Sequence, residues 1–369
     1  MEEYTRAFAA PGKYVQGPKE ILHLEEYTKQ FGENVFILID GFLFNQIQET
    51  LKNVYKDCTS NMTCDKFQGE ICNEEIDRLL NIIGNCHYEV IVGIGGGKTL
   101  DTAKVLATKL NAATIIVPTA ASTDAPTSAM SIVYTKEGAV SHGVFHKTNP
   151  DLILMDTDII AKAPVRLLVS GMGDALATYF EARSCQESNA SNYVGRGYKP
   201  TLAAIAIAKA CYETLLEDGL KAKMLAELQV TGKALENVIE ANTLLSGLGF
   251  ESVGCAGAHG IHDCLTTLDE THKYYHGEKV AFGTICELIL ENRQHEEIEK
   301  IIHFCMNIGL PVTLNEIGIC DTSKEHLMKA AKAAVESESL KSEPFDVNAE
   351  MVYGALLAAD AYGKKLKAK

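Results

Sequence analysis

Along the first 160 residues, short apolar runs alternate with longer amphipathic stretches. NVFILID (34–40), YEVIVGI (88–94), ATIIVPT (113–119) and DLILMD (151–156) are nearly unbroken apolar segments of strand length. Runs of this kind fit strands buried on both faces. Between them, residues 44–55, 73–85 and 98–110 repeat their apolar positions at helical spacing. Strands alternating with helices predict a parallel sheet covered on both sides, a Rossmann-like α/β domain. The pattern changes after Pro164. Residues 166–187, 201–217, 221–246, 253–268 and 279–291 read as helices, and no convincing strand follows Met155. The expectation is two domains: an α/β unit over 1–163 and an all-helical unit over 164–369, with the ligand site between them.

Composition narrows the partners. The net charge of -15 makes nucleic acid and anionic membranes poor partners. The 11 cysteines are odd in number and form no C-x-x-C pair, which fits a reducing cytoplasm rather than a disulfide framework. The start, MEEYTR, is acidic and has no apolar run behind it, unlike a secretory signal. The most apolar helix candidate, 201–216, carries Lys209 and Glu213 and is too short to span a bilayer.

Candidate chemistry begins at GIGGGKT (93–99), a glycine turn between a strand and a helix. Glycines there let a backbone approach a phosphate, and the helix N-terminus offers unpaired N–H groups. The turn misses the G-x-G-x-x-G dinucleotide fingerprint because position 98 is Lys98, and it misses the P-loop because position 92 is Val92. A dinucleotide and a nucleoside triphosphate both remain open at this point. Asp40 ends the preceding strand, where a carboxylate can accept from ribose hydroxyls and repel a 2′-phosphate; a plain turn Asp is the bland alternative. The hydroxyl-rich loop 118–128 (PTAASTDAPTS) suits phosphate, ribose or polyol, or simply its own backbone.

The helical half carries Asp174 in GMGD, His259 and His262 in GAHGIHD, and His272 and His276 in HKYYHGE. An Asp on an apolar helix needs a partner or a metal. One Asp with two His suits Zn²⁺ and leaves coordination positions open.

Taken together, GIGGGKTLDTAK (93–104), PTAASTDAPTSA (118–129), GMGDALATYFEAR (171–183), SGLGFES (246–252), GAHGIHD (257–263) and HGEKVAFG (276–283) resemble the glycerol dehydrogenase family of the metal-dependent, iron-containing-type alcohol dehydrogenase superfamily. The resemblance implies an enzyme that uses NAD and zinc to oxidise glycerol and related small vicinal diols, glycerol giving dihydroxyacetone. It implies metal ligands at Asp174, His259 and His276, with His262 and His272 behind them or incidental. It places NAD at Asp40, at Gly95, Gly96, Gly97, Lys98 and Thr99, at Thr119 and Ser122, and at Ser128, Met130 and Tyr134, with Met130 where Leu is common. Asp124 would contact the polyol. It also implies a homo-oligomer, up to an octamer, in the cytoplasm. The iron-type relatives typically carry a fourth ligand, a His four residues after the Asp; here that position is Thr178, which favours zinc. Dehydroquinate synthases tend to carry a Glu and a Lys in the segment aligned with 173–180, which here is apolar apart from Asp174 and Thr178. Glycerol-1-phosphate dehydrogenase is the harder rival, and Lys273 or Lys279 would have to anchor its phosphate, Arg183 being expected to point away. A nucleotide-binding regulator built on the glycine turn is the non-enzymatic alternative.

Overall fold

The computed structural model describes residues 4–136, 138 and 140–368; residues 1–3, the first half of the acidic start, lie outside the described residues. Eight strands are β1 (Tyr14–Gly17), β2 (Asn34–Ile39), β3 (Asn61–Lys66), β4 (Val90–Gly95), β5 (Ala113–Pro118), β6 (Met130–Tyr134), β7 (Val140–Phe145) and β8 (Leu152–Asp156). Six form one sheet in the order β1-β8-β5-β4-β2-β3, and every neighbouring pair is parallel. β6 and β7 form a separate antiparallel hairpin. The four strands expected from apolar runs are the four inner ones. β1 and β3 were not expected; they are the edges, short or half-exposed, and carry no apolar run. The hairpin was not expected either, because β7 is mostly exposed and carries no unbroken apolar run.

Helices α1 (Leu24–Thr28), α2 (Phe44–Val54), α3 (Asn73–Ile83) and α4 (Gly97–Leu110) cover the sheet. Alternate side chains along the inner strands feed two cores. Val35, Ile37, Val92 and Ile115 join Ile47 and Leu51 of α2 on one face. Phe36, Leu38, Ile91 and Ile116 meet Leu79 of α3 and Leu100 of α4 on the other.

From α5 (Thr157–Ala161) onward the described residues contain no strand, as the sequence predicts. They form α6 (Val165–Ser188), α7 (Leu202–Glu227), α8 (Lys233–Glu240), α9 (Ser246–Val253), α10 (Gly257–Leu265), α11 (His276–Leu290), α12 (His295–Ile308), α13 (Lys324–Glu336) and α14 (Ala349–Lys367). α6 lies among α7, α9, α10 and α11. Two helix boundaries differ from expectation. The single helix read over 221–246 is three pieces: its start belongs to α7, the chain turns at Gln229 (φ 56), and α8 then runs through a π-helical turn, Ala241–Leu245, into α9. α7 continues through the polar stretch at 217–219, and Gly219 there faces the Phe304 ring, where a Cβ would come within 2.9 Å. The helix read from 253 starts four residues later, after Gly254 at φ 126. No helix among the described residues is long and apolar enough to cross a membrane.

Candidate active site

Three helices converge on one point. Asp174 sits in α6, His259 near the start of α10, and His276 is the first residue of α11. Their approach is backbone against backbone. Gly173 has no room for a Cβ because the Gly277 carbonyl occupies that space, and Gly277 in turn abuts the Ser170 carbonyl. Glycine is therefore required sterically on both sides of the α6–α11 contact, which explains the Gly beside each ligand candidate in GMGD and HGEK.

Asp174 Oδ1 is buried and accepts no hydrogen bond. His276 Nε2 lies 3.0 Å from it and His259 Nε2 3.5 Å. Burial opposes the charged form of Asp174, but the imidazoles, His276 foremost, hold its carboxyl well below the usual carboxylate range. An orphaned carboxylate oxygen faced by two imidazole nitrogens, all within 4.8 Å of one another, is a donor set that fits a divalent transition metal.

Each imidazole is oriented from behind. His259 Nδ1 lies 2.7 Å from Glu181 Oε2, and Glu181 Oε1 accepts the N–H groups of Ala256 and His259 at 2.8 Å each. Burial disfavours a charged His259, yet Cys255 and Glu181 beside it push its pKa up. A proton fixed on Nδ1 leaves Nε2 free to ligate. His276 Nδ1 lies 3.0 Å from His262 Nε2, and His262 Nδ1 lies 3.2 Å from Asp263 Oδ1. Burial and the His276 charge lower the His262 pKa to about 3, so it stays neutral and can accept from His276. Sequence reasoning left His262 unassigned between support and accident, and it missed Glu181. That residue's signal was a carboxylate two turns after Asp174 in the same apolar helix. His272 turns away, its Nε2 2.9 Å from the Thr266 carbonyl.

Asp124 is brought to this point by the loop after β5. Its N–H donates to Asp174 Oδ2 at 3.3 Å, and the Ser246 hydroxyl donates to its Oδ2 at 2.7 Å. Ser246 also meets Thr178 at 2.8 Å, so the residue four positions after Asp174 supports Asp124 through Ser246. Burial, followed by the Asp174 charge, pushes the Asp124 carboxyl well above its ordinary range.

At the carboxyl edge of β2 and β4 lies an open cleft of about 790 Å³ lined by Asp40, Gly96, Gly97, Lys98 and Thr99. Gly96 and Gly97 would meet nothing within 4 Å if a Cβ were added, so the space over the helix N-terminus is free. Gly95 has no such freedom: Asp40 and Thr99 press within 2.9 Å of where its Cβ would be. A backbone cradle at a helix N-terminus, flanked by a carboxylate, fits a dinucleotide diphosphate and its ribose. Asp40 also accepts from the Phe42 N–H at 2.9 Å and the Thr99 hydroxyl at 3.3 Å, so the turn role and the ligand-facing position coexist. The cleft adds Phe42, Lys66 and Gln68, which sequence reasoning did not single out. Phe42 is 94% exposed.

The remaining candidates do not line that cleft, and Ser128 lines a separate one with Lys104 and His146. The Thr119 N–H donates to the Gly95 carbonyl at 3.0 Å. Ser122 is half-buried and Ser128 buried in the loop that carries Asp124. Tyr134 and Lys98 lie together, the ammonium 5.1 Å from the ring centre and 2.6 Å from Glu70. Met130 presents its carbonyl to Lys104 Nζ at 3.0 Å, and that ammonium also donates to the Ala125 carbonyl at 2.6 Å. Lys104, another residue missed, thus ties α4 to both ends of the loop segment 125–130. Arg183 points away as expected, its Nη1 2.6 Å from Glu297. Lys279 is buried, which lowers its pKa, and Lys273 lies 5.4 Å from the Tyr274 ring centre.

Comparison with known proteins agrees over nearly the whole chain. The model of the iron-containing alcohol dehydrogenase family matches residues 11–157. Glycerol dehydrogenase of Citrobacter freundii is 45% identical over 99% of this chain and 100% of its own length. Glycerol dehydrogenase of Thermotoga maritima is 49% identical over 97% of each chain. The crystal structure of a probable glycerol dehydrogenase from Sinorhizobium meliloti superposes with a TM-score of 0.91 at 44% identity, covering 98% of this chain and 99% of that one. This chain is accordingly an oxidoreductase of the iron-containing alcohol dehydrogenase family and belongs among its glycerol dehydrogenases.

Proposed function

We propose that the chain oxidises glycerol and related neutral vicinal diols, glycerol to dihydroxyacetone, with NAD as hydride acceptor and one zinc ion. The observation that carries this reading is the orphaned Asp174 Oδ1 facing the Nε2 atoms of His259 and His276. Those three residues would hold the metal. When bound, zinc supplies Lewis acidity that makes a substrate hydroxyl easier to ionise, and NAD supplies the hydride acceptor.

The chain's own residues bind, orient and support. Glu181 and His262 keep a proton on Nδ1 of His259 and His276. Asp124, held by Ser246, orients the diol beside the ligand set. Gly95, Gly96, Gly97, Lys98 and Thr99 receive the diphosphate, and Asp40 receives the adenosine ribose and disfavours a 2′-phosphate. Thr119, Ser122, Ser128, Met130 and Tyr134 would supply the remaining NAD contacts. The hydroxyl proton leaves to water.

Zinc rather than iron is supported by Thr178, which is engaged with Ser246 instead of extending the ligand set. A neutral substrate is supported by Lys279 being buried and Arg183 being paired with Glu297. A cytoplasmic homo-oligomer, with an NAD unit over 1–163 and a metal unit over 164–369, completes the proposal. The test is NAD reduction over glycerol, 1,2-propanediol, 1,3-propanediol and glycerol-1-phosphate, with metal analysis of the active preparation. The expected result is turnover of the first two, weak turnover of 1,3-propanediol because its hydroxyls are not adjacent, and stoichiometric zinc. Efficient use of glycerol-1-phosphate with glycerol inert overturns the substrate assignment, and full activity after complete metal removal overturns the metal.

A further inference from the structure

Behind the candidate active site, on the far side of Glu181, three more carboxylates meet. Glu287 lies in the last turn of α11, Glu291 caps that helix one turn on, and Glu343 reaches them from the segment before α14. One oxygen of each falls within 4.8 Å of the others. Glu287 is fully buried and Glu343 is 5% exposed.

Their hydrogen bonding is uneven. Glu291 is satisfied: Arg293 Nε donates to it at 2.8 Å and the Ser184 hydroxyl at 2.5 Å. Glu287 has only a long bond from Ser184, 3.4 Å to Oε1, and its Oε2 is buried without a partner. Neither oxygen of Glu343 accepts a hydrogen bond, and burial, then the Glu291 and Glu181 charges, pushes its pKa up to about 8 against the opposing pull of the Gly257 backbone. Two guanidiniums stand at the Glu291 edge of the cluster, and Nε and Nη2 of Arg183 are buried without hydrogen-bond partners. Arg183 pairs with Glu297 at 2.6 Å and lies 4.0 Å from Glu291, while Arg293 is shared between Glu291 and Glu187. Glu343 thus comes from a separate part of the chain, buried and unpartnered, and is aimed at an unpartnered oxygen of Glu287. Buried carboxylates in that state are costly unless a proton or a cation joins them. Access exists, because Glu343 also lines an open cleft of about 650 Å³ with Ser188 and Asp346.

We propose that Glu287, Glu291 and Glu343 form a second cation site, separate from the candidate catalytic metal, that takes a hard divalent ion of the Ca²⁺, Mn²⁺ or Mg²⁺ class. Every donor is a carboxylate oxygen, the choice of hard cations and not of thiophilic ones. Oxygens up to 4.8 Å apart match the spread across an ion with bonds of about 2.3–2.6 Å, so Ca²⁺ fits with least movement. The site's role is structural. It clamps the segment before α14 onto α11, the helix that begins with His276, and it lies beside Gly257 at the start of α10, the helix that carries His259.

Thermal unfolding of the zinc-loaded full chain with and without millimolar Ca²⁺, Mn²⁺ or Mg²⁺ tests this. The expected result is a rise of several degrees with at least one of these ions, a rise that Glu343→Gln and Glu287→Gln abolish and that His276→Ala preserves. Mn²⁺ electron paramagnetic resonance on the wild-type chain, still zinc-loaded, gives a second readout in case a Gln variant fails to fold, and one bound Mn²⁺ per chain is expected. No stabilisation by any of the three ions and no bound Mn²⁺ overturns the proposal in favour of carboxylates that share protons. A response lost in His276→Ala overturns it too, because the ions would then be reading the first site.

Discussion

The Glu181 carboxylate meets His259 with both oxygens: Oε2 lies 2.7 Å from the imidazole Nδ1, and Oε1 accepts the His259 backbone N–H at 2.8 Å. One side chain therefore sets the ring's proton, its rotation and the position of the helix beneath it. Glu181→Gln keeps the shape but can supply only one acceptor oxygen. Metal affinity is expected to fall by about 10- to 100-fold, the usual cost of losing such support, with the fold retained. Competition with a chelator, followed by metal analysis, measures this. Unchanged retention would reduce Glu181 to a helix cap.

Asp40 faces the open end of the glycine cradle while its Oδ1 holds the Phe42 N–H. Replacing it with Gly should narrow the preference for NAD over NADP on the order of tenfold, about 1.4 kcal/mol of relieved repulsion. The ratio of kcat/KM for the two cofactors is the measurement. A wild-type ratio in the variant leaves Asp40 as a turn residue alone.

Lys104 is nearly fully buried and its ammonium ties α4 to two carbonyls of the loop behind Asp124. Lys104→Met keeps the length and removes the charge, taking from Asp101 Oδ1 its ion partner at 3.3 Å and from the Ala125 and Met130 carbonyls their ammonium donor. A loss of about 1–3 kcal/mol in unfolding free energy is expected, with KM for NAD rising more than kcat falls. Denaturant titration and steady-state kinetics check the two halves. A stable variant with unaltered KM would show that the loop needs no anchor.

His146 lies between the Thr108 and Ser131 hydroxyls, 2.7 and 2.8 Å from its two ring nitrogens. Burial, with the Lys104 charge adding to it, lowers its pKa from 6.5 to about 4. The unfolded chain therefore takes up a proton that the folded chain refuses across this window. The stability present above pH 6.5 is lost as pH falls toward about 4. His146→Gln keeps a donor and an acceptor without titrating, so it should flatten that part of the stability profile. Melting temperatures taken across the window decide it; parallel profiles for both chains would sink the assignment.

Legibility in the sequence followed burial. Strands flanked on both sides had to be apolar throughout, so β2, β4, β5 and β8 stood out as runs, while the edge strand β3, with Asn61 and Lys66 in solvent, had no such constraint. Asp174 stood out because a carboxylate on an apolar helix demands a partner, and the four close histidines stood out as a cluster, but choosing His259 and His276 among them took the family resemblance. Glu181 and Lys104 did not stand out, because a charged residue in a helix usually finds water, and only the packing reveals that these two do not. Ser246 carries no signal of its own in SGLGFES, since a hydroxyl's partner 122 positions away leaves no local trace.

The contact of α6 on α11 through Gly173 and Gly277 has a consequence for how such a site can change. Side chains that set a distance can be exchanged for longer or shorter ones. Two main chains in contact cannot, and here their atomic radii act as a fixed gauge between Asp174 and His276. Adjustment must come from elsewhere, chiefly the loop 119–128, whose Ser122 and Thr123 are half-buried and have space to vary. Selection for a different diol would therefore be expected to rewrite that loop and leave the two glycines untouched.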